Sequence, residues 1–502
     1  MTEGAAFAAT GAPPVPELIV VSHRGPVRID PTPRRAGGGL VTALSDLVRH
    51  APHTTWVCAA TTEDERKAAI EPDPLDIEIG TAGDPAVSAH CRVRFVATDP
   101  EQHHRFYAVI ANPMLWFIQH GLWDHARTPT IGADVLQAWY DGYLPVNEAF
   151  ADEVADAAED AAGDAVIMVH DYHFYTLPRL LRERRVRQVV HFFVHIPWPA
   201  ADAWRVLPPE MRDAIVEGLL HADVVGFHTE RYARNFLATC ADLLRLEVHW
   251  PDSTVRYGGR VVSVRFYPIS VDASSLRTLA HTPEAADHRA EVAATRAEQL
   301  ILRVDRADPS KNILRGFAAF DRLCELHPEV CGRVTFLALI QPTREHVREY
   351  RDYREEIEML AEAINARWGT DDWTPIDLRI VESLPLAVAA YQEFDVLMVN
   401  ALADGMNLVA KEALLVNERD GVLALSELAG AYAELGAVAV TLYPYDIEQQ
   451  AEALWHALTM DGSERRRRHD AGVEIVTTNN VAKWLSRQLE DLDDYRRISA
   501  AQ

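Results

Sequence analysis

What this 502-residue sequence lacks narrows its class first. It has five cysteines, Cys58, Cys91, Cys240, Cys324 and Cys331, scattered and without a CxxC pair. That excludes a disulfide framework or zinc-finger spacing and points to a reducing, cytoplasmic setting. No apolar run reaches the roughly 18 to 20 residues of a membrane span. Residues 1–16 lack the basic stretch and apolar core of a secretion signal and read as a flexible tail. Basic charge is scarce: 49 Lys and Arg face 75 Asp and Glu, a formal net charge of -26. Such a chain repels nucleic acid and anionic lipid at long range, so neither is an expected partner. Any phosphate must be held by a few local cations. His170, Asp171, His173 and His195 come with no HExxH helix and no carboxylate cluster, so no metal is expected.

What remains is ordinary globular usage, 48% hydrophobic and 25% charged, in a length that suits two large domains. A grammar of apolar strand, loop and helix recurs. It runs from Glu17–Ser22 through Ala165–Val169, Val189–Val194 and Val224–Phe227, then resumes near Gln299 with LILRVDR, VTFLALI, LRIVES, FDVLMVN, GVLALSE and AVAVTLYP. Strands alternating with helices imply two α/β domains with parallel sheets, divided within Asp272–Glu298. The acidic, Ala-rich Ala151–Asp164 reads as an exposed helix. Trp484, Leu485, Leu489 and Leu492 fall at helical spacing and call for a packing partner.

In open α/β sheets, the loops after the strands face the ligand crevice. Gly37, Gly38 and Gly39 lie in such a loop, as a phosphate cradle or a plain turn; the motif is neither GxGxxG nor a Walker loop. Arg24 is a phosphate fork or a surface arginine, and Arg344 offers a second fork. Arg306 and Lys311 stand together between strand and helix, where two cations suit a diphosphate leaving group or form a solvated basic turn. Asp404 either caps the following helix or accepts hydrogen bonds from sugar hydroxyls, with the amides of Met406, Asn407, Leu408 and Val409 open to a ligand. Glu412 suits the two hydroxyls of a ribose or a solvated helix face. His195, stiffened by Pro197 and Pro199, is a ligand contact or a structural histidine, and His170 and His173 read as satisfied structural histidines. Tyr107, Asn112 and Trp116 form a sugar wall or core.

Together, SHRGPV with GGGLVTAL, FYAVIANPMLW, VHDYH, HIPWP, VDRADPSK, PTREHVREYRDYR, INARWGTDDWTP, DGMNLVAKE and LSELAGAYAELG resemble the trehalose-6-phosphate synthases, retaining enzymes of glycosyltransferase family 20, from about Glu17 to Leu492. The resemblance implies an α/β GT-B fold: two Rossmann-like domains with a catalytic cleft between them. Residues 17–275 would form the acceptor domain, 276–478 the nucleotide-sugar domain, and 479–502 a helix returning to the first. It implies glucose transfer from UDP- or GDP-glucose to glucose 6-phosphate, in the cytoplasm, without metal or other cofactor, by a homo-oligomer. Arg24, Trp56, Tyr107, Trp116, Asp171 and Arg344 would hold the acceptor. Gly38, Gly39, Arg306, Lys311, Asp404, Met406, Asn407, Leu408, Val409 and Glu412 would hold the donor, with His195 on its glucose. Arg306, Lys311, Asp171 and His195 would be the catalytic set. The chain departs from the family in SHR for SNR, in VCAATTED for a Gly-Trp segment, in Ala403 for Arg and in ADPSKN for LDYSKG. Two alternatives stay open: a pseudo-glycosyltransferase joining cyclitols, and a non-catalytic sugar-phosphate sensor.

Overall fold

Apolar runs without polar alternation are buried only where both faces of a sheet are covered, and such runs supply the central strands here. The computed structural model describes residues 15–30, 32–35, 44–45, 48, 51, 53–71, 73–80, 88–161 and 163–500. Its first sheet has ten strands. Ser88–Val96, Thr54–Ala59, Leu18–Val21, Val166–His170, Val189–Phe193, Val224–Phe227 and Arg260–Phe266 lie side by side and parallel. Antiparallel Leu75–Gly80 closes one edge, and Val248–His249 with Thr254–Tyr257 closes the other. The second sheet is wholly parallel, in the order Ile376–Ile380, Val334–Gln341, Gln299–Arg306, Val396–Val399, Val422–Ser426, Val440–Leu442.

Counted by parallel strands, both sheets begin 3-2-1-4-5-6, the doubly wound order, and both therefore have a switch point beside their first strand. This is the α/β, two-Rossmann-unit architecture that the GT-B resemblance implies. Alternation along a strand feeds two cores. Ile19, Val21, Ile167 and Val169 pack on one face of the first sheet. Leu18, Val20, Val166 and Met168 pack on the other, in a cluster that continues into Leu300, Leu302 and Leu397 of the second sheet.

The acidic segment is not a wholly exposed helix. The helix Leu144–Asp160 starts before it and buries Val146, Phe150, Val154, Ala157 and Ala158, so the charges line only the outer face. The helix Ala273–Ala280 packs on the second-lobe helices Leu384–Glu393 and Val409–Val416. The helix Val481–Ala500 lies against the first lobe: the Trp484 indole donates to the Tyr267 carbonyl at 3.2 Å, and the Tyr267 hydroxyl donates to Asp491 at 2.6 Å. Among the described residues, no helix is long and apolar enough to cross a membrane.

Trp484 is 2% exposed and meets Phe193 edge-on at 5.4 Å. Trp484→Ala is expected to cost about 3–5 kcal/mol, read as a lowered thermal midpoint, whereas Arg497→Ala on the exposed face leaves it within error.

Candidate active-site cleft

The second lobe's switch point is built around a carboxylate with no exposed surface. After Gln299–Arg306 the chain turns through Pro309–Lys311, and Asp308 caps that turn by accepting the Ser310 N–H at 2.9 Å. Its oxygens also take the Trp116 indole N–H and the Arg344 guanidinium, each at 3.4 Å, with Arg306 at 4.0 Å. Burial alone would raise the Asp308 carboxyl, but Arg344, Arg306 and His120 hold it below its ordinary value. Trp116 belongs to the first lobe, so the lobes meet here. Its ring lies under both guanidiniums, Arg344 at 4.1 Å and Arg306 at 5.3 Å. Arg344 also donates to the Tyr172 hydroxyl at 3.1 Å and to Tyr350.

Lys311 forms an ion pair with Asp404. Burial opposes ionisation of Asp404, yet Lys311 and Asn407 keep its carboxyl below the usual range. Asp404 is therefore occupied by a cation and does not cap the helix Val409–Val416; the Asn407 side chain does, accepting the Ala410 N–H at 3.1 Å. Met406, Asn407, Leu408 and Val409 place their N–H groups at this helix's N-terminal end, where no preceding turn takes them. A Cβ at Gly405 would fall 1.8 Å from the His195 carbonyl oxygen, and one at Gly430 would fall 1.9 Å from the Gly405 carbonyl. Only glycine lets these three backbones touch. Glu412 accepts from the Tyr391 hydroxyl at 3.2 Å, and burial raises its carboxyl.

On the first lobe, Asp171 follows Val166–His170 with φ 78°, a conformation rare outside glycine. Its carboxylate accepts the His195 N–H at 3.2 Å, and burial pushes it up to about 7. Tyr107, His23 and His173 stack, with His23 centred 4.7 Å from Tyr107 and 4.8 Å from His173. Burial, then the neighbouring imidazole and arginine charges, keeps His23 neutral. Burial would raise the Tyr107 hydroxyl, but Arg344 and Arg24 outweigh it and lower it.

The structure thus brings Arg24, Tyr107, Trp116, Asp171, His195, Arg306, Lys311, Arg344 and Asp404 to one crevice between the switch points. Gly37, Gly38 and Gly39 lie outside the described residues. Trp56 is not a cleft residue: it sits in mid-strand, 0% exposed, packs in the core, and donates its indole N–H to Ser22 at 2.8 Å. Asn112 is no sugar wall either, since it is fully buried and accepts the Tyr172 hydroxyl at 2.7 Å. His173 is not a satisfied histidine; neither ring nitrogen has a partner among the described residues. Sequence reasoning missed Asp308, whose only local signal was its place before Pro309, and Tyr172, whose role depends on a residue 172 positions away.

The model of glycosyltransferase family 20 matches residues 16–494. The chain belongs to glycosyltransferase family 20. A solved family structure, an alpha,alpha-trehalose-phosphate synthase (UDP-forming) from Burkholderia xenovorans in complex with glucose-6-phosphate, is 30% identical. It aligns with a TM-score of 0.80 over 95% of this chain and 100% of that one. A bifunctional trehalose-6-phosphate synthase/phosphatase of Thermoproteus tenax is 33% identical over 93% of this chain, which spans 62% of that protein's length. A validamine 7-phosphate valienyltransferase of Streptomyces hygroscopicus subsp. jinggangensis is 29% identical over 95% of this chain and 94% of its own.

The buried Asp171 gives a signed pH test. Its ordinary value is 3.8, and in the folded protein it is about 7. Between the two the folded protein holds a proton that the unfolded chain has lost, so this contribution is full below the lower value and is lost as pH rises through the upper one. Compared with wild type, Asp171→Asn is expected to flatten the fall in thermal midpoint from about pH 4 to about pH 8. Identical slopes would assign that fall to other groups.

Proposed function

We propose that the protein transfers glucose, with retention, from a nucleoside diphosphate glucose to glucose 6-phosphate, forming trehalose 6-phosphate. The observation that carries this reading is the pair Arg306 and Lys311 at the second lobe's switch point, facing Trp116 and Asp171 of the first. UDP-glucose is the proposed donor, following the UDP-forming relative. In the transfer, the bond from glucose C1 to the diphosphate oxygen breaks and a bond to the acceptor hydroxyl forms on the same face. The acceptor proton passes to the departing phosphate oxygen. This asks the protein for positioning and for cations at the leaving group rather than for an acid and base pair.

The division of labour follows the lobes. With the boundary moved from 275 to the start of the helix Ala273–Ala280, residues 17–272 hold the acceptor through Arg24, Tyr107, Trp116 and Asp171, joined by Arg344 from the other lobe. Residues 273–478 hold the donor through Arg306, Lys311, Asp404, the Met406–Val409 amides and Glu412, with Gly38, Gly39 and His195 from the first lobe. The helix Val481–Ala500 returns to the first lobe. The free thiols support a cytoplasmic location, and a homo-oligomer is the proposed assembly.

The test is nucleoside diphosphate release from UDP-, GDP- or ADP-glucose in EDTA, without acceptor, with glucose 6-phosphate, and with a cyclitol phosphate. Acceptor-dependent release from UDP-glucose is expected. Release only with a cyclitol phosphate would favour the reaction named for the valienyltransferase relative, and binding without release would favour a sensor. The Arg306 side chain is 38% exposed. Arg306→Ala is therefore expected to lower turnover about a hundredfold while leaving the thermal midpoint unchanged. Near-normal turnover would remove Arg306 from the leaving-group site.

A further inference from the structure

Beneath the cleft lies a histidine with no task in the reaction above. His170 ends the strand Val166–His170, is 0% exposed, and places its Nδ1 at 3.0 Å from Nε2 of His195. The Nε2 of His170 is buried and has no partner among the described residues. His195 itself is half-buried at the cleft, and its Nδ1 bonds to no described residue. The remaining rings around His195 are Phe193 at 4.4 Å, His228 at 5.0 Å and Trp484 at 6.3 Å, and none of them hydrogen-bonds it. Among the described residues, His170 alone can fix which nitrogen of His195 carries the proton.

Burial keeps both imidazoles neutral, with His170 pushed down to about 3, so each ring carries one proton. The bond between them has two forms. If His195 Nε2–H donates to His170 Nδ1, the His170 proton sits on Nε2 as a buried N–H with no acceptor. If His170 Nδ1–H donates to His195 Nε2, the His170 Nε2 is only a bare lone pair, and the His195 proton sits on Nδ1. A buried N–H left without an acceptor is the rarer defect.

We infer that His170 is a positioning residue that holds His195 in its Nδ1–H form, so that His195 offers the donor sugar a hydrogen-bond donor and not an acceptor. The inference rests on the glucosyl-transfer reading of the cleft and deepens it. No proton is transferred: the bound sugar must present an oxygen lone pair to His195, and an analogue lacking that oxygen loses the bond.

Replacement of His170 separates this from a merely structural role. In His170→Asn the amide nitrogen takes the place of Nδ1 and still donates; in His170→Asp only an acceptor is available, which draws the His195 proton to Nε2; His170→Phe supplies neither. The full chain labelled with 15N-histidine reports the tautomer directly, the His195 signals being assigned by their loss in His195→Asn. Wild type and His170→Asn are expected to show a protonated Nδ1 and a bare Nε2 on His195, and His170→Asp the reverse. Turnover is expected to stay within about threefold in His170→Asn and to fall about tenfold or more in His170→Asp and His170→Phe, with the KM for glucose 6-phosphate unchanged. A wild-type His195 carrying its proton on Nε2 overturns the inference, as does a His170→Asp protein with reversed tautomer and full turnover. If His170→Asp does not fold, the wild-type and His170→Asn spectra decide. Absence of diphosphate release from wild type would sink the proposed function, while the spectrum of the unliganded protein would still settle the tautomer.

Discussion

A carboxylate buried without exposed surface must be matched by cations and N–H groups or be left protonated, and Asp308 is the group on which the cleft is organised. The Ser310 amide fixes the loop, while Trp116 and Arg344 arrive from opposite lobes to meet the same carboxylate. Because Arg344 is also held by Tyr172, and Tyr172 by Asn112, one buried charge aligns Trp116, Tyr172 and Asn112 of the first lobe with the cation loop of the second. Buried ion pairs are weak arguments for net stability, since desolvation offsets the attraction. Their effect here is registry: Trp116 has one place where its indole N–H is satisfied and its face covered by guanidinium.

Backbone contact sets the other side of the same arrangement. The turn bearing His195, the loop at Gly405 and the loop at Gly430 lie carbonyl against Cα, at separations that exclude any side chain. The Tyr232 hydroxyl of the first lobe adds a hydrogen bond to the Asp404 carbonyl at 2.8 Å. The Asp404 carbonyl is thus anchored to the first lobe while its carboxylate is held by Lys311. A glycine next to an aspartate in DGMN is legible in sequence as a turn. That its missing Cβ admits another domain's carbonyl is not, because the contact joins positions far apart in the chain.

The same distinction governs what could be read in advance. Val, Ile and Leu runs mark the strands, and their alternation with helices marks parallel α/β sheets; the doubly wound order and the crevice between two such units were implied by the family resemblance, and the order is seen in the structure. Two cations after a strand, Arg306 and Lys311, are visible in the sequence, but the ion pair of Lys311 with Asp404 is not, since 93 positions separate them. Trp56 was misplaced because the family resemblance carried it to the acceptor, whereas its position in mid-strand puts it three residues short of the strand end at Ala59. Asp308 was overlooked because a capping Asp before Pro looks local; its function comes from Trp116 and Arg344, which no spacing rule brings near. The neutral state of His23, His170 and His173 is likewise a product of tertiary burial.

That neutrality bears on the chemistry. Under the proposed transfer, stabilising a departing diphosphate gains from fixed charges and loses from groups whose charge changes near neutral pH. Arg306 and Lys311 would supply the former. His23, His170, His173 and His195 beside them are held uncharged by burial, so they add shape without adding charge that competes with those cations. Asp171 is the exception, a carboxyl poised near neutrality by burial. The Tyr172 and His195 N–H groups, with Arg344 and Arg306, partly offset that burial, so any further hydrogen-bond donor reaching Asp171 would favour its ionised form.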